Sequence, residues 1–165
     1  MFKKIAAAQP LVPSTLLVWF ADGETRLLDV DALIKRRSEF APLQDEELFL
    51  SAELAAEGYG VSWGNELDMG CKEIYEESQR VSVVDAECAR VIAQVVGSRH
   101  ESGLSQAKLA AAAGVKQPVV ARLETRVNSP RLDTLLKVLT PLGKTLQVVD
   151  LADAISTQML EESAE

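Results

Sequence analysis

The stretch GLSQAKLAAAAGVKQPVVARLE, Gly103–Glu124, decides how the chain is organised. Leu109 and Ala113 fall on the inner side of one helix, and Val120 and Leu123 on the inner side of the next. Gly103 breaks the preceding segment, and Ser105 supplies a capping oxygen for a helix opening at Gln106. Gly114 stands where the link between the helices needs a left-handed backbone, and Val115 plugs the turn. Ala110 is the small side chain required where the helices cross. This spacing leaves Gln117, Pro118, Ala121 and Arg122 on an outer face without apolar bulk, able to enter a major groove. Pro118 falls in the first turn, where its missing N–H has no intrahelical partner to lose. Lys116 occupies the cap position, giving up an oxygen worth about 1 kcal/mol but offering a charge to a phosphate.

The flanks extend the helical texture. Ala86, Ala89, Ala93 and Val96, with Ile92 beside them, form an apolar stripe that predicts a helix from Asp85, weakened at Gly97. Downstream, Ser129-Pro130 reads as a cap and helix start, and Leu132, Leu135, Leu136 and Leu139 as an amphipathic helix stopping at Gly143. Thr145–Val149 is β-prone, and STQMLEESAE at the end is expected to fray.

The first half has another character. Leu16–Ala21 and Glu24–Val30 flank Asp22-Gly23, which predicts a hairpin with a type I′ turn. A second pair, Phe49–Ala55 and Tyr59–Trp63, surrounds Glu57-Gly58. Short helical pieces interrupted at Pro42 lie between the pairs, and ELDMGCKEIYEESQR reads as a helix leading out. The expected organisation is an α+β unit of antiparallel strands and short helices over residues 1–80, an all-α helix-turn-helix unit over 81–150, and an acidic tail over 151–165.

Charge follows the same division. The chain carries a net −8, yet residues 1–84 hold eight basic against fifteen acidic side chains, 85–150 nine against six, and 151–165 none against four. Only the middle segment suits a polyanion. Apolar content of 47% is that of an ordinary globular protein. Cys71 and Cys88 form no CxxC pair, and with one histidine a zinc site lacks ligands. No cofactor or metal is implied. The N-terminal apolar run is broken by Gln9, Pro10 and Pro13, and no run reaches about 18 apolar residues, so neither a signal peptide nor a membrane span is expected. A soluble, cytoplasmic protein is the expectation.

An enzyme is not expected. The carboxylates Asp45-Glu46-Glu47 and Glu76-Glu77 are neighbours on what read as solvated helix faces. No glycine-rich phosphate loop, GxSxG or HExxH occurs. His100 and Cys88 fall on one helix, as a surface or structural imidazole and a small core residue.

The LSQ start, Leu-Ala pair, Gly-Val turn, Gln at the second helix and Arg-x-Glu close resemble the Cro/phage-repressor (XRE) type of helix-turn-helix domain, over about residues 85–148. The resemblance implies that Gln106 touches a phosphate and braces the reading helix, and that Gln117 reads base edges, where an amide suits adenine. It also places Lys116 and Arg122 near phosphates, and Asn128 and Arg131 where the family grips the DNA backbone. Arg126 replaces a glycine often found in that family after the closing glutamate. Residues 1–80 resemble a bacterial family of small domains of unknown function, on Asp22-Gly23, Asp29, the FAPL segment Phe40–Leu43, Phe49 and Trp63. The implied function is a sequence-specific, dimeric regulator binding double-stranded DNA. The alternative is an antitoxin-like protein whose acidic half binds a partner protein. In antitoxin-like relatives a strand at the place of Thr145–Val149 pairs across a dimer; packing on the chain's own first half is the other reading.

Overall fold

The computed structural model describes residues 3–126 and 129–153. Asn128 and the tail beyond Asp153 lie outside the described residues. The chain opens with three antiparallel strands, β1 (Ile5–Leu11), β2 (Thr15–Phe20) and β3 (Thr25–Asp29). Helix α1 (Val30–Arg36) follows, capped by the Asp29 carboxylate on the Ala32 N–H. A 3-10 segment containing Pro42 leads into α2 (Glu46–Leu50), capped in the same way by Asp45. Strands β4 (Ala52–Leu54), β5 (Gly60–Trp63) and β6 (Leu67–Gly70) form a second sheet, and α3 (Cys71–Glu77) leads to the two-residue β7 (Gln79–Arg80). β7 returns to β3, so the first sheet runs β1-β2-β3-β7. The helices α4 (Val83–Glu101), α5 (Gln106–Ala113), α6 (Gln117–Glu124) and α7 (Leu132–Leu139) complete the chain.

Strand alternation sorts side chains into two cores. Leu16, Val18, Phe20 and Leu28 point into the first, with Phe40, Phe49, Trp63 and Ile74. Leu17 points the other way and joins Leu11, Val12 and the buried faces of α4 to α7, with Trp19 and Leu27 packed alongside. The first sheet is therefore covered on both faces: the helical half is laid against a sheet of the other half and shares its core. Gly97 has a local role here, since the Val12 side chain lies 3.9 Å from where its Cβ would stand.

Several expectations change in detail. The hairpin forms, but only Gly23 takes a positive φ, 86°. The Gly23 N–H bonds the Phe20 carbonyl and the Phe20 N–H bonds the Glu24 carbonyl, the pattern of a type I turn closed by a glycine bulge, not a type I′ turn. Phe49 belongs to α2, so the strand expected from it starts at Ala52. The segment read as one helix divides into β6, α3 and β7. Arg131, not Ser129, takes the N-cap position of α7, without a side-chain cap. In α7 the buried set is Leu135, Val138 and Leu139, while Leu132 and Leu136 are exposed. Thr145–Val149 is exposed and without regular structure within the chain, so it is not packed as a layer on the first half.

Candidate nucleic-acid interface

The two helices of the opening stretch form as their residues require. Ser105 Oγ accepts from the Lys108 N–H at 3.2 Å, satisfying one of the orphan donors at the start of α5. Gly114 takes φ 68°, ψ 29°; its N–H bonds the Ala111 carbonyl, and the Val115 N–H bonds that of Ala110. This is a Schellman ending, and its left-handed residue is the reason for the glycine. Lys116 then caps α6 by backbone alone, and Pro118 sits in the first turn. Val120 and Leu123 are buried beneath α6 with Leu109 and Ala110 of α5.

On the opposite side, Lys116, Gln117, Pro118 and Arg122 are exposed, and Ala121 is half-buried. Arg131 is also exposed. Its guanidinium pairs with Asp133 at 3.2 Å and lines, with Arg122, Ser129 and Pro130, a shallow hollow beside α6. Of the sequence-derived candidates, one surface thus joins Lys116, Gln117, Pro118, Ala121, Arg122 and Arg131, with Gln106 at its edge.

Beneath this surface runs a polar chain that the reading of single residues missed. Arg99, near the end of α4, donates from Nε and Nη2 to the two carboxylate oxygens of Glu124 at 2.6 and 2.9 Å. The guanidinium and carboxylate side chains are only 12% and 7% exposed, and Arg99 Nη1 also donates to the Leu104 carbonyl. Gln106 donates to the same carboxylate at 2.8 Å and accepts from the Gln117 amide at 3.1 Å. The order Arg99, Glu124, Gln106, Gln117 links α4, both ends of α6 and the start of α5. One hydrogen of Gln117 Nε2 is used in the chain; the other, and the carbonyl oxygen, belong to an exposed residue on the outer face. The available signal was Glu124 itself: a carboxylate on the inner side of a helix, next to Leu123, requires a buried cationic partner.

Two further contacts join this region to the first half. Arg126, just past α6, takes φ 57° and donates from Nη2 to Thr15 Oγ1 at 2.9 Å. Burial lowers the proton affinity of its guanidinium, with nearby Asp29 acting in the opposite sense. His100 Nδ1 lies 3.6 Å from the Glu46 carboxylate at the head of α2. The position where the family often has glycine therefore keeps a glycine-like backbone while its side chain reaches across to the sheet. No helix among the described residues is long and apolar enough to cross a membrane.

Comparison with known proteins finds two family matches along the chain. Residues 99–149 match the family described as helix-turn-helix, and residues 5–80 match a protein of unknown function, DUF2442. An uncharacterized HTH-type transcriptional regulator of Haemophilus influenzae is 44% identical over 80 residues, covering 48% of this chain and 74% of that protein. Among solved structures, a toxin-antitoxin module from Streptococcus pneumoniae is 43% identical and covers 50% of this chain and 82% of that chain, with a TM-score of 0.37. A Nitrosomonas europaea protein solved as a candidate DNA binding protein is 21% identical and covers 92% of this chain and 95% of that one, with a TM-score of 0.40. On its helix-turn-helix segment and its Haemophilus relative, the chain belongs to the XRE-type helix-turn-helix family of transcriptional regulators.

Proposed function

We propose that the chain is a sequence-specific regulator that reads double-stranded DNA with α6 and acts as a dimer. The observation that carries the reading is the polar chain ending at Gln117. A glutamine recognises adenine by donating to N7 and accepting from N6, and it does so best when its amide is already oriented. The bond to Gln106, fixed in turn by the buried Arg99–Glu124 pair, supplies that orientation. Lys116, Arg122 and Arg131 add three exposed cations around the reading helix for phosphate contact. Asn128 is proposed as a further backbone contact on the family resemblance alone.

Residues 1–80, 81–150 and 151–165 are taken as the units of this function. The excess of acidic side chains in the first unit opposes DNA on its own surface and suits a protein partner of basic character, which is the antitoxin-like alternative. One short reading helix provides little affinity alone, and a second copy on an adjoining half-site multiplies it.

Selection of sites from a random duplex pool tests the proposal. The wild type should enrich one sequence. Gln117→Ala should relax preference at one position by about 1–3 kcal/mol. Lys116→Ala should weaken all sites alike and reduce the slope of log affinity against log salt by about one. A wild type that enriches no sequence and binds without salt dependence overturns the reading.

A further inference from the structure

The chain between α6 and α7 is held to the rest of the molecule by little apolar contact. From Thr125 to Thr134 no described side chain is buried; the nearest buried ones are Glu124 before the stretch and Leu135 after it. Pro130 and Thr134 are half-buried, and Leu132 is 65% exposed. Yet the stretch carries Arg131, one of the cations proposed to meet a phosphate, which lines one hollow with Arg122 of α6. Helix α7 starts from Arg131 without a side-chain cap. Little within the stretch itself sets the spacing of the two cations.

A contact from the first half of the chain can set it. Arg126 takes φ 57°, a backbone that an L side chain rarely adopts and that persists only where its surroundings impose it. Its Nη2 donates to Thr15 Oγ1 at 2.9 Å, across 111 positions of sequence. Thr15 opens β2 and stands in register between Leu11 of β1 and Asp29 of β3, and the Asp29 carboxylate also attracts the guanidinium. The next two residues, Leu16 and Leu17, are fully buried in the two different cores. The bend at the exit of α6 is thus tied to a strand packed on both faces. We infer that Thr15 is a positioning residue for DNA binding: through Arg126 it sets the exit of α6 and so brings Arg131 to a phosphate while α6 lies in the groove. Phosphate contacts fix orientation without carrying sequence information, so the anchor bears on affinity and leaves base preference to Gln117. The first half, whose surface charge opposes DNA, contributes to binding from behind the reading helix. The inference rests on the DNA-reading proposal.

The test uses the full-length protein and an operator selected by the wild type, with titrations over a series of salt concentrations and ethylation interference at each phosphate. Thr15→Val keeps the branched shape of the side chain and removes the oxygen. It should bind about five- to ten-fold more weakly, keep the wild-type base preference and lower the slope of log affinity against log salt by about one. Interference should vanish at one phosphate, the same one that Arg131→Ala loses. The double variant should bind no more weakly than Arg131→Ala alone, because both substitutions remove one contact. Thr15→Ser retains the hydroxyl and should restore affinity and slope. Thr15→Ala leaves room for water at the guanidinium and should repeat the valine result, even if the valine variant fails to fold. Wild-type affinity and slope in the valine and alanine variants, or a loss that adds to that of Arg131→Ala, overturns the inference and leaves the DNA reading standing. A wild type that selects no operator overturns the DNA reading, and the inference with it.

Discussion

Each half of the molecule has its own polar network around an arginine and a glutamate, and the two end differently. In the first half, Lys3 bonds Asp22 at 2.6 Å and Glu24 at 3.0 Å, while Arg26 bonds Glu24 and the Ser78 side chain and carbonyl. Both cations lie over the Tyr75 ring. Every charged group there meets another of the same cluster, and the network pins the start of β1, the β2–β3 turn, α3 and β7 together. In the second half, Arg99 and Glu124 are held deeper and pass their order through Gln106 to the exposed Gln117. A network that closes on itself holds a fold. One that opens at the surface with hydrogen-bonding capacity remaining can hold a ligand. Acidic residues are far more numerous in the first half, yet Glu124 of the second, the one buried glutamate among the described residues, is the one whose hydrogen bonds lead to the surface proposed to read DNA.

The largest effect should come from breaking the buried pair. Glu124→Ala leaves the Arg99 guanidinium without its carboxylate and removes the acceptor of Gln106. A loss of about 3–5 kcal/mol in unfolding free energy is expected, together with loss of operator binding. Glu124→Gln keeps the shape and one acceptor oxygen, and should cost less than the alanine variant while still weakening operator affinity. Urea denaturation and binding titrations check both. If Glu124→Ala unfolds like the wild type yet still discriminates operator bases, the second network is not what orients Gln117.

The comparison also shows what could be read from sequence. The helix-turn-helix was legible because each position carries a local demand: an oxygen at Ser105, a left-handed backbone at Gly114, apolar contact at Val120 and Leu123. The outer face followed directly, as did the antiparallel hairpin around Gly23. The polar chain was not legible, since Arg99 lies 25 positions before Glu124 and only the packing of α4 on α6 brings them together. β1 was hidden because IAAAQPL has little strand preference of its own; its pairing with β2 makes it a strand. The run TLLVWF did hold a clue, because a strand apolar at consecutive positions is buried on both faces, as β2 is. The outward leucines of α7 escaped notice because all four were assigned to one inward stripe, although Leu132 and Leu136 face out.

An intermediate effect is expected at Arg126, where the second half reaches into the first. The residue combines a left-handed backbone, costly for any residue with a Cβ, with a hydrogen bond to Thr15. Arg126→Ala loses the bond and keeps the backbone cost, so a destabilisation of about 1–2 kcal/mol is expected. Arg126→Gly loses the bond but relieves the backbone, and should be about 1 kcal/mol more stable than the alanine variant. Chemical denaturation of the pair separates the two contributions. Equal stabilities for alanine and glycine would mean that the turn relaxes once the side chain is gone.

The smallest effect belongs to the closed network and is best seen in acid. The hydrogen bond from Lys3 is the main reason that the Asp22 and Glu24 carboxyls titrate below their ordinary values of 3.8 and 4.5, with Arg26 also acting on Glu24. Because both carboxyls are depressed in the folded chain, their contribution is complete above those ordinary values and disappears as pH falls through the lower, folded ones. Lys3 is shifted upward by the same partners, so its share is present at neutral pH and is lost only in strong alkali. Lys3→Ala should therefore melt at a lower temperature than wild type near neutrality, with the two curves converging as pH falls below the ordinary carboxyl range and both carboxyls protonate. A difference that persists undiminished in acid would assign the contribution of Lys3 to its packing on Tyr75 instead of to the carboxylates, and the first network would then be held by contact more than by charge.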